Sequence, residues 1–129
     1  MNEKVVKLLK EQLWYLGTCA NDEPNAVPVA FKDVTPEGGL VVGDVFLDTT
    51  LKNVAANGRI AVSACDPATM EGYQIKGRAV YVTEGPVVEM FKKIVSDMFK
   101  GAATAKGALV ITPEKVIVTT PGPDNKKEL

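Results

Sequence analysis

RIAVSACDPATMEGYQIKGRAVYVT, residues 59–83, is the stretch that decides the fold. Arg59 to Cys65 is a run of β-branched and small residues with strand character, Asp66-Pro67 ends it, and Tyr73 to Thr83 reads as a second, longer strand. No helix-length segment separates the two, so the natural pairing is antiparallel. Gly77 interrupts the long strand and marks a bulge or a close backbone approach.

Working outward, the same alternation of short strands and turn formers recurs. Upstream, Trp14 to Ala20 is small and apolar, Asn21 to Asn25 is a cluster of turn formers, and Ala26 to Phe31 resumes strand character. Thr35-Pro36-Glu37-Gly38-Gly39 forms a second turn before a short strand at Leu40 to Val42. Downstream, Ala108 to Ile111, a Thr112 to Lys115 turn and Val116 to Thr119 read as a last hairpin, and the tail from about Thr120 as a mobile end. Three segments carry helical signals instead. Asn2 to Leu13 places Val5, Val6, Leu8, Leu9 and Leu13 on one face behind an Asn2 cap. Asp48 to Gly58 is a two-turn helix with an Asn-Gly stop, and the helix opened by Gly85-Pro86 runs to Gly101. About six strands with hairpin-length turns and flanking helices indicate a β-barrel-dominated α+β fold, not a parallel βαβ sheet. Neither a repeat nor a domain boundary is visible, so residues 1–129 form a single domain.

Composition narrows the chemistry. The chain has no histidine, which removes Ser-His and Cys-His nucleophilic pairs, an imidazole base and His-ligated metal or haem sites. Two cysteines, Cys19 and Cys65, cannot supply a four-cysteine cluster, and both sit in apolar runs that read as core. No metal site is expected. Fifteen Lys+Arg against sixteen Asp+Glu, dispersed along the chain, predict no footprint for a nucleic acid or an anionic membrane. Lys4, Lys7 and Lys10 interrupt the first apolar stretch, so neither a signal peptide nor a spanning helix is expected and a reducing, cytoplasmic location fits.

Three segments present candidate binding groups. In Asn25 to Lys32, the residues Ala26, Pro28 and Ala30 make one strand face shallow enough for a flat ligand, while Pro28 equally suits a plain edge strand. Asp48 to Lys52 opens a short helix whose first N–H groups and dipole would attract a phosphate, with Thr49 and Thr50 as donors. Spacing alone favours simple capping by Asp48 or Thr49. Gln74, Lys76 and Arg78 alternate on one face of the long strand and offer an amide and two cations, or merely an exposed barrel face.

In this order the segments resemble the pyridoxamine 5'-phosphate oxidase-like family of FMN-binding split β-barrels. The resemblance rests on Gly17 to Ala20 followed by Pro24 to Phe31, Gly43 to Phe46, Thr50 to Asn53 with Asn57 to Val62, Gly72 to Gly77, and Ala108 to Pro113. It implies a homodimer with FMN at the subunit interface and redox chemistry carried by the flavin. It further implies that Val27, Pro28, Val29 and Ala30, with Asp44, Val45 and Phe46, line the ring, that Thr49 and Thr50 hold the phosphate, and that Lys52 and Gln74 contribute. One departure stands out. Relatives commonly carry Lys or Arg at the position of Thr49, whereas this chain reads Asp48-Thr49-Thr50, so Lys52, Arg59, Lys76 and Arg78 are the cations left to replace it.

Overall fold

The computed structural model describes residues 1–129. The elements in chain order are α1 (Glu3–Glu11), β1 (Trp14–Ala20), β2 (Glu23–Val29), β3 (Lys32–Val34), β4 (Leu40–Asp44), α2 (Thr49–Asn57), β5 (Arg59–Cys65), β6 (Gly72–Val82), α3 (Pro86–Phe99) and β7 (Gly107–Val118). All pairings are antiparallel and join the strands into one seven-stranded sheet, β2-β1-β5-β6-β7-β4-β3, curled into a half-barrel. The two edge strands, β2 and β3, are consecutive in the chain, linked only by Ala30 and Phe31. Gly43 N–H donates to the Phe31 carbonyl at 2.9 Å and ties this link to β4.

Period-two burial explains how the sheet closes on its core. Trp14, Leu16 and Thr18 of β1 and Ile60, Val62 and Ala64 of β5 point inward, while the intervening residues face out. Helix α1 plugs one end with Val5, Leu8 and Leu9. Its last turn is held by Trp14, fully buried, whose Nε1 donates to the Leu9 carbonyl at 2.7 Å. Lys32 Nζ donates to the same carbonyl at 3.1 Å, and burial lowers its pKa against the raising influence of Asp33. Helix α3 packs Val88, Phe91 and Val95 onto Val41, Val45 and Ala108 as a second core. Gly43 permits this contact, since a Cβ there would sit 2.7 Å from Phe91 Cγ.

The structure corrects several sequence expectations. Cys19 and Cys65 are exposed, not core, because each occupies the outward parity of its strand; at β1 the adjacent inward place goes to Thr18. The run through Phe31 breaks at Ala30-Phe31 and restarts as β3, while the two runs of the expected last hairpin form the single strand β7, which leaves seven strands in the sheet. Thr112 to Lys115 is no turn, since β7 runs straight through it, with a register shift opposite Lys76/Gly77 absorbing the extra residue. The close approach expected at Gly77 is present: a Cβ there would collide with the Thr112 carbonyl. The tail also folds back. Lys126 and Leu129 donate their N–H groups to the carbonyls of Val118 and Val116 at 2.7 and 2.8 Å, and Glu128 bridges Ile117.

Candidate cofactor-binding site

The site begins with a sheet edge that proline shapes. Asn21 and Asp22, at φ 54° and 60°, form the two-residue loop of the β1–β2 hairpin, and register follows from it. Ala20 and Glu23 make the first hydrogen-bonded pair, so Pro24 and Pro28 fall at alternate positions whose nitrogens face away from β1. Their rings therefore remove donors only from the free edge. That edge keeps its carbonyls and the Ala26 N–H, a mixed acceptor-donor row suited to the edge of a planar heterocycle.

Against this edge stands a cavity of about 340 Å³. One wall is Val27 to Phe31, the other is Gly43 with Val45, Phe46 and Leu47, and Asp48, Thr49 and Thr50 close one end. Phe46 is 79% exposed and stands at the mouth as an uncovered aromatic face. The floor is fixed from beneath by Asp44, which is 1% exposed and does not itself line the space. Its Oδ1 accepts from Leu47 N–H at 3.0 Å and its Oδ2 accepts from the Tyr81 hydroxyl at 2.6 Å. Burial, then the hydrogen bond and charge of Asp44, push the Tyr81 phenol up to about 12. A Cβ at Gly107 would lie 2.5 Å from the Tyr81 hydroxyl, so glycine there leaves room for this strut.

At the closed end, α2 begins without a side-chain cap. Asp48 occupies the N-cap position but makes no capping bond; its carboxylate pairs instead with Lys52, one turn on, at 3.4 Å. Capping, which the spacing favoured, therefore does not occupy the first N–H groups of α2. Thr49 is exposed with a free hydroxyl, whereas Thr50 is 1% exposed and its Oγ1 accepts from Asn25 Nδ2 at 3.1 Å. Helix α2 is further pinned by Asn53 Nδ2 to Thr18 Oγ1 at 3.0 Å and Asn57 Nδ2 to the Cys19 carbonyl at 2.7 Å.

A sequence profile described as pyridoxamine 5'-phosphate oxidase matches residues 1–121. The chain belongs to the pyridoxamine 5'-phosphate oxidase-like family. It is 32% identical over 130 residues to the uncharacterized protein MJ0282 of Methanocaldococcus jannaschii, covering 98% of this chain and 86% of that one. Among solved structures, Group A Streptococcus HupZ is similar with a TM-score of 0.82 at 22% identity, covering 96% of this chain and 98% of HupZ. An FMN-binding protein from Syntrophomonas wolfei is similar with a TM-score of 0.81 at 16% identity, covering 94% and 87%. The split-barrel fold is thus shared.

Of the residues singled out from sequence and from the family resemblance, Val27, Pro28, Val29, Ala30, Val45, Phe46, Thr49 and Thr50 line the one cavity. Asp44 lies beneath it, as described. Lys52 and Gln74 are not brought to it in this chain. Lys52 is turned to solvent beside Asp48, and Gln74 sits on β6 opposite Ser63 and Ile117, strands away from the β2 edge. Asn25 and Gly43 fell inside the segments singled out from sequence but were given no role there, and Leu47 and the strut from Tyr81 were missed. Asn25 reads as one more turn former in its cluster, and Tyr81 lies 37 positions from the carboxylate it holds, so no local pattern could have paired them.

Proposed function

We propose that the chain is an FMN-binding oxidoreductase acting on a small molecule, and that it works as a homodimer in a reducing, cytoplasmic setting. The observation that carries this reading is the cavity between the free β2 edge and the Val45 to Thr50 segment, with an uncapped helix N-terminus at its end. The residues present fit a flavin mononucleotide. Val27 to Ala30 offer a shallow wall and edge carbonyls for the ring, Phe46 an aromatic face, and Thr49 with the first N–H groups of α2 a seat for the phosphate. When bound, the flavin supplies hydride or electron transfer, which this chain without histidine has no imidazole to assist. The protein's part is to orient the ring along the β2 edge, exclude water with Val27, Val29 and Val45, and hold the floor through Asp44. A partner subunit would cover Phe46, 79% exposed at the mouth. No helix is long and apolar enough to cross a membrane, and the free, exposed Cys19 and Cys65 suit a reducing compartment.

One observation favours a second reading, a barrel that has lost FMN or takes a deazaflavin. Asp48 and Lys52 neutralise each other at the phosphate end, leaving no net positive charge from side chains there. An absorbance spectrum of the purified protein, acid release with mass analysis, and FMN titration into the apo-protein decide between them. Flavin bands, a released mass of FMN and saturable quenching of flavin fluorescence are expected. A colourless protein that ignores FMN to high micromolar concentration overturns the first reading. Turnover of NADH or NADPH by the loaded protein alone separates an enzyme from a flavin electron carrier.

A further inference from the structure

The basic residues, dispersed along the sequence, are gathered by strand register. On the outer face of the sheet Arg59 lies directly opposite Arg78 across β5–β6, and Lys76 directly opposite Lys115 across β6–β7. Cross-strand neighbours on one face have Cβ atoms about 4.5–5.5 Å apart, and like charges so placed repel. An exposed barrel face needs charge of either sign, but it has no reason to set two like pairs side by side in a chain whose net charge is -1. Only one carboxylate answers them: Glu114 reaches Arg78 Nε at 3.6 Å, and Arg59, Lys76 and Lys115 have no carboxylate within ion-pair distance.

Beside these cations the sheet surface is hollow. Gly17, Ala26 and Ala61 line an open groove of about 810 Å³ together with the cations Arg59 and Lys76 and one carboxylate, Glu114, which is paired to Arg78. The groove adjoins the cofactor cavity, and Asn25 lines both. A second binding place, with two unpaired cations against one carboxylate already paired to Arg78, thus touches the phosphate end of the first, where side-chain charge is cancelled.

We propose that this groove is an anion site in which Arg59 and Lys76 hold the phosphate group of a phosphate-bearing ligand. The group belongs either to the cofactor itself or to a second phosphate-bearing ligand bound next to it. The first of these alternatives rests on the FMN reading above; the site itself does not.

The test uses the full chain and inorganic pyrophosphate, followed by calorimetry, in wild type, in Arg59→Gln/Lys76→Gln, and in Lys92→Gln/Lys93→Gln on α3 as a control of equal charge. Saturable binding that weakens by about tenfold or more in the groove variant, and not in the control, is expected, since charge-assisted contacts to phosphate are lost. No saturable binding to wild type, or equal weakening in both variants, overturns the site. The source follows from the ratio of FMN to riboflavin affinity. A ratio that falls in the groove variant assigns the phosphate to the cofactor, and one that holds, with pyrophosphate binding lost, assigns it to a second ligand. A chain that binds pyrophosphate through Arg59 and Lys76 but neither flavin keeps the site and refutes the FMN reading. Both substituted positions are exposed and relieve like-charge contacts, so the thermal midpoint of the groove variant should stay level or rise.

Discussion

Replacing Tyr81 by phenylalanine removes a single oxygen atom, yet it should loosen the cavity floor. Asp44 is 1% exposed and is held by two donors, the Leu47 N–H at 3.0 Å and the Tyr81 hydroxyl at 2.6 Å, with no cation paired to it. Losing a hydrogen bond to a buried charge costs about 1.5–3 kcal/mol, because the carboxylate keeps its desolvation penalty without its compensation. For a domain of this size each kcal/mol lowers the unfolding midpoint by roughly 3–5 °C, so a fall of roughly 5–15 °C is expected. Urea unfolding of wild type, Tyr81→Phe, Asp44→Asn and the double variant forms a cycle that isolates the pair. With a neutral amide at position 44 the phenol matters less, so the two losses should be sub-additive by about 1 kcal/mol or more. If the cavity holds FMN as proposed, flavin affinity should fall in Tyr81→Phe, because the carboxylate that accepts from Leu47 N–H through Oδ1 loses the bond that fixes its Oδ2. A Tyr81→Phe protein within about 0.5 kcal/mol of wild type, with additive behaviour in the cycle, would refute the claim that this bond holds the floor.

Other consequences are open to measurement. Tyr73 and Tyr81 are both pushed up to about 12, chiefly by burial and then by the carboxylates of Glu71 and Asp44. Because folding favours the protonated phenols, their contribution is complete below the ordinary tyrosine value of about 10 and is lost as pH rises toward about 12. Stability followed by chemical denaturation should decline across that window, less steeply in Tyr81→Phe. Gly77→Ala must displace the backbone carbonyl of Thr112, and overpacking of this kind costs about 1–3 kcal/mol, read as a lower denaturation midpoint. Pro28→Ala returns an N–H to the free β2 edge, and light scattering should show increased higher-order association; an unchanged mass distribution would count against a gatekeeper role for the proline.

The sequence by itself determined the class of the fold and most of one wall of the site. Consecutive strands without intervening helices, as in residues 59–83, admit antiparallel pairing only, and period-two apolar alternation marks which faces are buried. Pro28 and Ala30 announced a shallow edge, and Asp48 to Thr50 a helix start, because turn, cap and edge preferences act over a few residues. Parity and long-range pairing lie outside that reach. Cys19 and Cys65 sit in apolar runs, yet a shift of one residue decides inside from outside, and only the closed sheet sets it. Thr112 to Lys115 has turn composition but is drawn through β7 by ten paired positions with β6. The Asp44–Tyr81 strut, the Asn25–Thr50 link across the cavity end and the cation pairs on β5, β6 and β7 all join residues far apart in the chain. Such contacts come from sheet register, which no local preference encodes, and they supply the cavity floor and the charge around it.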